Sequence, residues 1–271
     1  MSATLTGIAR RIYAVTGGAS GMGAAAVREL ARQKAGAIWI ADWNDGPFKD
    51  FTAELKSINS ETKVYTTKVD VSDSKAVDAW MDKVVEGSGG LHGAINLAGL
   101  AQNPPAAEEW LTGKAPGILF ESDNDINRVT AVNWQGIVYS TRAQVRAMMK
   151  MPEGSNPAIV NIASLASFMH APQIFTYCAT KAAVAHLSIQ VGADVGRFGI
   201  RCNAVSPGLI NTPMLPTFAG GKKQLEEQQK PGGLFANPID SAHISKVMVW
   251  LLSDTASHVN GINMLVGATT P

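Results

Sequence analysis

The chain has 271 residues, 46% of them hydrophobic and 17% charged, enough apolar material for one large core or two small ones. Lys+Arg number 23 against 22 Asp+Glu, a formal net charge of +1, which excludes binding driven by a nucleic-acid backbone or an anionic membrane surface. Two cysteines, Cys178 and Cys202, make no disulfide framework, and no apolar run approaches the ~18 to 20 residues of a membrane span. The first residues carry no signal-peptide pattern either, so the expectation is a soluble, cytoplasmic protein with reduced thiols and neither membrane nor nucleic-acid partner.

In chain order, short β-rich apolar runs alternate with amphipathic stretches, the pattern of βαβ units. Strands are predicted at Ile12–Val15, Ala37–Ala41, Val64–Lys68, Ala94–Leu97, Ala158–Ile162, Ile200–Val205 and Asn263–Val266. Helices are predicted at Met22–Lys34, Phe48–Ile58, Ser74–Val85, Asp125–Lys150, Phe175–Phe198 and Ser241–Leu252. This alternation predicts an α/β chain, a single doubly wound domain over 1–271 with a seven-stranded parallel sheet and helices on both faces. Two stretches break the pattern. Residues 100–124 hold three prolines and two glycines and are too long for an ordinary connection, so they are expected to form a functional insert near the substrate mouth. Residues 206–240, from Ser206-Pro207-Gly208 to Asn237-Pro238, read as a substrate loop whose charged part, Lys222–Lys230, predicts a surface helix.

The first strand runs into Thr16-Gly17-Gly18-Ala19-Ser20-Gly21-Met22-Gly23 and then a helix. Glycines at 17, 21 and 23 permit a tight turn and close approach of backbone N–H groups to a pyrophosphate, with the helix N-terminus supplying positive potential. Asp42 ends the second strand at about the 20-residue interval where an acid meets the adenosine ribose. It can accept both ribose hydroxyls and would repel a 2′-phosphate, and no Lys or Arg stands at 43–46, so NAD is favoured over NADP. Asp70 and Val71, beyond the third strand, are candidates for the adenine. On its own, Asp70 reads more readily as a helix-entry residue, with Ser72-Asp73 available as the cap.

Tyr177 and Lys181 lie four apart in a helical pattern and share one face. A phenol of pKa ~10 is a poor base at neutral pH unless a nearby cation stabilises its anion. Ser164 follows the fifth strand, where its hydroxyl would face the crevice at the strand ends. Asn133 is a polar residue inside a helical pattern, either solvated or positioned for a task. Alone, each is compatible with ordinary packing.

Together, Thr16–Gly23, Asp42, Asp70, Asn96-Leu97-Ala98-Gly99, Asn133, Ser164, Tyr177, Lys181 and Pro207-Gly208 resemble, in order and over nearly the whole chain, the short-chain dehydrogenase/reductase superfamily. The resemblance implies a Rossmann-type fold and a catalytic set of Asn133, Ser164, Tyr177 and Lys181. In that set Tyr177 is the acid/base, Lys181 lowers its pKa and holds the nicotinamide ribose, Ser164 hydrogen-bonds the reacting oxygen and Asn133 holds a water for a proton relay. It also implies a dinucleotide site made by Gly17, Ser20, Gly21, Met22, Gly23, Asp42, Asp70, Val71, Asn96, Ala98, Gly99, Tyr177, Lys181, Pro207, Gly208, Ile210 and Thr212, with no metal. Three departures stand out. Leu97 replaces an asparagine of the family's Asn-Asn-Ala-Gly, Val266-Gly267-Ala268-Thr269 replaces Val-Asp-Gly-Gly, and the 100–124 insert separates Asn96 from Asn133 more widely than usual. Long inserts there resemble those of fungal secondary-metabolite enzymes.

The segments Leu165–Phe175 and Ser206–Ala219 contain no Asp, Glu, Lys or Arg, whereas a carboxylate or phosphate substrate normally finds a basic partner. Leu165, Phe168, Met169, His170, Phe175, Leu209, Met214, Leu215 and Phe218 are the candidate lining, each also compatible with core packing. The expected activity is NAD(H)-dependent hydride transfer with a neutral, largely apolar secondary alcohol or ketone, in the direction of alcohol oxidation. The alternatives are an NADPH-dependent carbonyl or imine reductase of a biosynthetic pathway and, in another class, a non-catalytic dinucleotide-binding scaffold. Cys178 adjoins Tyr177 but projects elsewhere on the helix and is not expected to react. Apolar residues beyond one stripe on the two long helices (Ala143, Val145, Ala147, Met148 and Met149; Ala182, Ala185, Ile189 and Ala193) predict a homo-oligomer, a dimer or a tetramer.

Overall fold

The computed structural model describes residues 5–103, 109, 112–169, 171, 174–230, 233 and 236–267. Strands Ile12–Thr16 (β1), Ala37–Asp42 (β2), Lys63–Lys68 (β3), Gly93–Asn96 (β4), Ala158–Ile162 (β5) and Arg201–Pro207 (β6) precede a ribbon of Ile210–Asn211 (β7) and Ile239–Asp240 (β8), and Asn263–Val266 (β9) closes the series. The main sheet has seven strands in the order β3-β2-β1-β4-β5-β6-β9, every recorded pair parallel. Strands β4, β5 and β6 are buried along their whole length, as a sheet covered on both faces requires. The doubly wound α/β fold is therefore as expected, with strand ends shifted by no more than two residues. The ribbon was not anticipated, because two-residue strands carry no readable period.

The helices are Gly21–Arg32 (α1), Phe48–Ile58 (α2), Ser74–Ser88 (α3), Asp123–Thr130 (α4), Gly136–Met148 (α5), Phe175–Val195 (α6), Leu215–Phe218 (α7), Lys222–Gln228 (α8) and Ser241–Leu252 (α9). On one face of the sheet, Val27 and Leu30 of α1 and Ile244 and Met248 of α9 join Val15, Ile40, Ile95 and Val160 in one cluster. On the other, Val77, Trp80 and Val84 of α3 and Ala143, Ala147 and Met148 of α5 join Ala14, Trp39, Ala94 and Ile159. Each large side chain so buried contributes about 1.5 to 3 kcal/mol relative to exposure. Ala143, Ala147 and Met148 are thus spent on the chain's own core, which corrects the expectation of a second, free apolar face there.

The chain turns from β1 to β2 on one side, while β4 lies on the other. Strand order reverses between β1 and β4, so a crevice opens beyond their carboxyl ends. The stretch expected as one helix over Asp125–Lys150 is divided: α4 runs into a π-turn, Ala131–Gln135, before α5 begins. Asn133, fully buried in that turn, accepts the Leu100 N–H at 2.7 Å and donates to the Leu100 carbonyl at 2.9 Å. Single π-turns inside α-helices are rare and occur frequently at functional sites. At the end of α6, a 3-10 turn over Gly196–Phe198 is stopped by Gly199 in the left-handed region, φ 72°.

Candidate active site

The glycine loop is held by close approach. Gly17 has φ +64°, and a Cβ on it would come within 2.6 Å of the Ala98 nitrogen; a Cβ on Gly23 would come within 1.9 Å of the Gly17 carbonyl oxygen. No larger residue allows α1 to start so near β1. Ser20 caps α1 without a side-chain hydrogen bond, which leaves first-turn N–H groups for an anion. Asp42 ties the loop to β2: its carboxylate accepts the Ala19 N–H at 3.0 Å and the Asn44 N–H at 3.1 Å. A carboxylate has about four acceptor positions, so capacity for ribose hydroxyls remains.

A cleft of about 590 Å3 opens over this loop. Of the predicted dinucleotide residues, Gly17, Ser20, Gly21, Met22, Gly23, Asp42, Asp70, Val71, Ala98, Gly99 and Thr212 line it. Asp70 also accepts from the backbone and hydroxyl of Ser72, and Asp73 caps α3 through the Lys75 and Ala76 N–H groups. Six predicted residues stand outside this lining: Tyr177 and Lys181, past Gly99, and four others. Asn96 is fully buried and lies beneath the sheet end, exchanging hydrogen bonds with Gln144 at 2.7 and 2.8 Å and donating to Asn161 at 2.8 Å. Its amide is consumed in holding β4, β5 and α5 together, so it supports the cleft and does not line it. Pro207 is buried at the end of β6, Gly208 packs where a Cβ would meet the Gly267 carbonyl oxygen at 2.2 Å, and Ile210 is buried in the ribbon.

Past Gly99 the cleft leads to the predicted catalytic group: a Cβ built on Gly99 would lie 3.3 Å from Asn133 Oδ1 and 3.7 Å from Lys181 Nζ. Tyr177 is 8% exposed and Lys181 4%. The ammonium sits 5.7 Å from the centre of the Tyr177 ring and donates to the Ile162 carbonyl at 3.0 Å. Ser164, whose hydroxyl accepts the Ala166 N–H at 3.2 Å, also hydrogen-bonds the Tyr177 phenol. Burial dominates the electrostatics of both groups. Burial pushes Tyr177 up to about 12, with the Ser164 hydrogen bond working against it, and burial pulls Lys181 down to about 8. Part of the covering of Tyr177 is the Phe218 ring of α7, which packs edge-on against it, centroids 5.1 Å apart. Asn133 likewise spends its side chain on Leu100, so a water relay would depend on backbone groups freed by the π-turn.

Around the substrate side, Leu215 is buried, Phe175, Leu165, Leu209 and Met214 are half-buried, and Phe168 and Met169 are 62% and 61% exposed on the turn after Ser164. His170 lies outside the described residues. Four residues near the site escaped the sequence patterns. Trp43, beside Asp42, and Arg128 line the cleft, while Gln102 and Glu121 of the insert bond the first turn of α6. Only Trp43 had a local signal, an aromatic directly after the acidic strand end; the others sit in irregular or amphipathic segments where polar residues are expected. Glu121 brings a charged group to a region whose flanking segments contain none.

Residues 17–268 match the family model described as enoyl-(acyl carrier protein) reductase. The chain is 41% identical to chanoclavine-I dehydrogenase of Arthroderma otae, over 98% of this chain and all of that one. It is 40% identical to chanoclavine-I dehydrogenase of Claviceps purpurea, over 96% and 98% of the two chains. The crystal structure of levodione reductase superposes with a TM-score of 0.82 at 26% identity, covering 95% of this chain and 96% of that one. The chain belongs to the short-chain dehydrogenase/reductase superfamily and is a nicotinamide-dinucleotide-dependent oxidoreductase of the alcohol dehydrogenase type.

Proposed function

We propose that the enzyme oxidises a largely apolar alcohol with NAD, in a biosynthetic pathway of secondary metabolism. The observation that carries this is the convergence of Ser164, Tyr177 and Lys181 where the dinucleotide cleft ends at Gly99. The cleft fits a dinucleotide: its volume, the glycine cradle, the open N-terminus of α1 and the Asp42 carboxylate suit pyrophosphate and ribose. Trp43, 73% exposed at the wall of the cleft, offers a flat apolar face for the adenine. Asp42 supports NAD over NADP by repelling a 2′-phosphate. The bound nicotinamide supplies the hydride acceptor. Ser164 holds the substrate oxygen, Tyr177 takes its proton, and Lys181 supports the charge that develops on the phenol.

The relatives' names support oxidation as the direction and chanoclavine-I as the first compound to test. Purified protein with NAD or NADP, chanoclavine-I and a panel of apolar secondary alcohols, followed by reduced-nicotinamide absorbance, tests the reading. Turnover with NADP at least as efficient as with NAD would overturn the cofactor assignment. We further propose a homo-oligomer, dimer or tetramer, in the cytoplasm, supported by Ala182, Ile189 and Ala193 along the exposed side of α6 and by Leu265 on the edge strand β9. Light scattering giving 28.6 kDa would refute the assembly.

A further inference from the structure

The first turn of α6 carries Tyr177 but has no cap of its own. Its N-cap residue, Ile174, offers no side-chain acceptor, and the N–H groups of a helix's first turn have no intrahelical partner. The 100–124 insert supplies what is missing. Gln102, 1% exposed, accepts the Tyr177 N–H at 2.9 Å through Oε1. Its Nε2 donates to one oxygen of the Glu121 carboxylate, and the other oxygen accepts the Thr176 hydroxyl at 2.6 Å. Gln102, Glu121, Thr176 and Tyr177 thus form a closed ring in which two residues of the insert grip two consecutive residues of the helix. The carboxylate also sits favourably at the positive end of the helix.

We propose that Gln102 and Glu121 are positioning residues for the reaction: by clamping the first turn of α6 they set the height and direction of the Tyr177 phenol toward Ser164 and the substrate. This rests on the reading of Tyr177 as the acid/base. A buried amide with both ends engaged leaves the backbone of Tyr177 little freedom, and misplacement of a reacting group by about 1 Å can cost about a hundredfold in rate. The same ring makes the insert and the catalytic residue one mechanical unit.

The test compares Gln102→Ala, Glu121→Ala and Glu121→Gln with the wild type and with Tyr177→Phe. The glutamine at 121 can still accept from Gln102 and bond Thr176, so it retains the ring without the charge. With NAD and chanoclavine-I, or the best alcohol of the panel, both alanine variants are expected to lose about tenfold or more in kcat with KM for NAD unchanged, and Glu121→Gln to stay within about threefold of the wild type. Because the Ser164 hydrogen bond holds the phenol down, loosening it moves the rise of kcat with pH to higher pH in the alanine variants, a displacement that lost stability alone would not produce. Hydrogen exchange of the segment 174–181 needs no turnover, and it should quicken in Gln102→Ala. Unchanged exchange, an unmoved pH profile, or Glu121→Gln as impaired as Glu121→Ala overturns the clamp. Full turnover by Tyr177→Phe would instead overturn the reading of Tyr177.

Discussion

Gly17, Gly21 and Gly23 meet the dinucleotide cleft within one turn and the start of one helix, whereas the groups that surround Tyr177 arrive from positions 102, 164, 181 and 218. The first half of the site recognises through backbone, so its requirement is small residues at fixed spacing between a strand and a helix. The second half is assembled from side chains on a strand end, a helix and two long irregular segments, and what each does depends on what packs over it. Phe218 shows this dependence. Its ring is part of the packing that buries Tyr177, and burial pushes that phenol up to about 12. A recognition site of the first kind transfers between chemistries, and one of the second kind belongs to a substrate.

The largest effect should come from the assembled half. Tyr177→Phe removes the proposed proton carrier and leaves the cleft untouched, so turnover should fall by about 10² to 10⁴ while calorimetry gives NADH affinity close to wild type. A parallel loss of NADH affinity would mean that the two halves are not separable in the way their construction implies. The raised phenol also fixes a sign: alcohol oxidation needs the deprotonated oxygen, so wild-type oxidation should accelerate from about pH 6 to 9, and reduction, which uses the protonated form, should not.

Lys181→Met ranks next and connects the halves. Turnover should drop by about 10² or more, with some loss of NADH affinity because the ammonium stands beside Gly99 of the cleft. Stability should respond in the opposite sense. Burial has pulled the Lys181 ammonium down from 10.5 to about 8; between those values the unfolded chain binds the extra proton, so the wild type gains stability as pH rises through that window. The methionine variant lacks that gain. Denaturant midpoints at the two ends of the window, compared between the proteins, measure it, and identical pH dependence would mean that the ammonium is better solvated than its surroundings imply.

Legibility follows the same division. The sheet was readable because strands buried on both faces are nearly continuous apolar runs, and β5, buried throughout, starts and stops at Ala158 and Ile162 as its apolar run predicts. Glycine loop, strand-end acid and the Tyr177/Lys181 pair were readable because their meaning is carried by spacing along one or two elements. Asn133 was visible as an anomaly in a helix, yet the π-turn that resolves the anomaly depends on Leu100, a partner 33 residues away. Asn96 was visible as part of a motif, but its partners Gln144 and Asn161, which make it a brace under the sheet, stand 48 and 65 residues distant. Gln102 and Glu121 had no local signature at all, since a polar residue in a Pro-rich segment reads as solvated until the fold buries it.

Within the backbone-built half, Asp42 is the proposed side-chain determinant of cofactor choice, and Asp42→Asn tests that role. The amide oxygen can still accept the Ala19 N–H and hold the loop, so the substitution removes charge with little change of shape. Affinity for NADPH should rise and the preference for NADH shrink by about tenfold. Asp42→Ala, which also releases Ala19, should weaken both cofactors in addition. If the asparagine variant keeps the full NAD preference, discrimination lies in the fit of the cleft and not in repulsion of a phosphate.

Trp43 should show the smallest effect. Its side chain is 73% exposed and pays no folding penalty for removal, so Trp43→Leu should leave the denaturant midpoint unchanged. Stacking of a base on an aromatic face is worth about 1 to 3 kcal/mol, and leucine recovers part of that by simple apolar contact, which leaves about a fivefold rise in the NADH dissociation constant by calorimetry. In the proposed arrangement the ring meets only the adenine, so NADH and NADPH should weaken by the same factor and kcat at saturating cofactor should not move. A change in the NAD to NADP ratio would place the indole against the 2′-position instead, and a change in kcat would show that the far end of the cleft is felt at Tyr177.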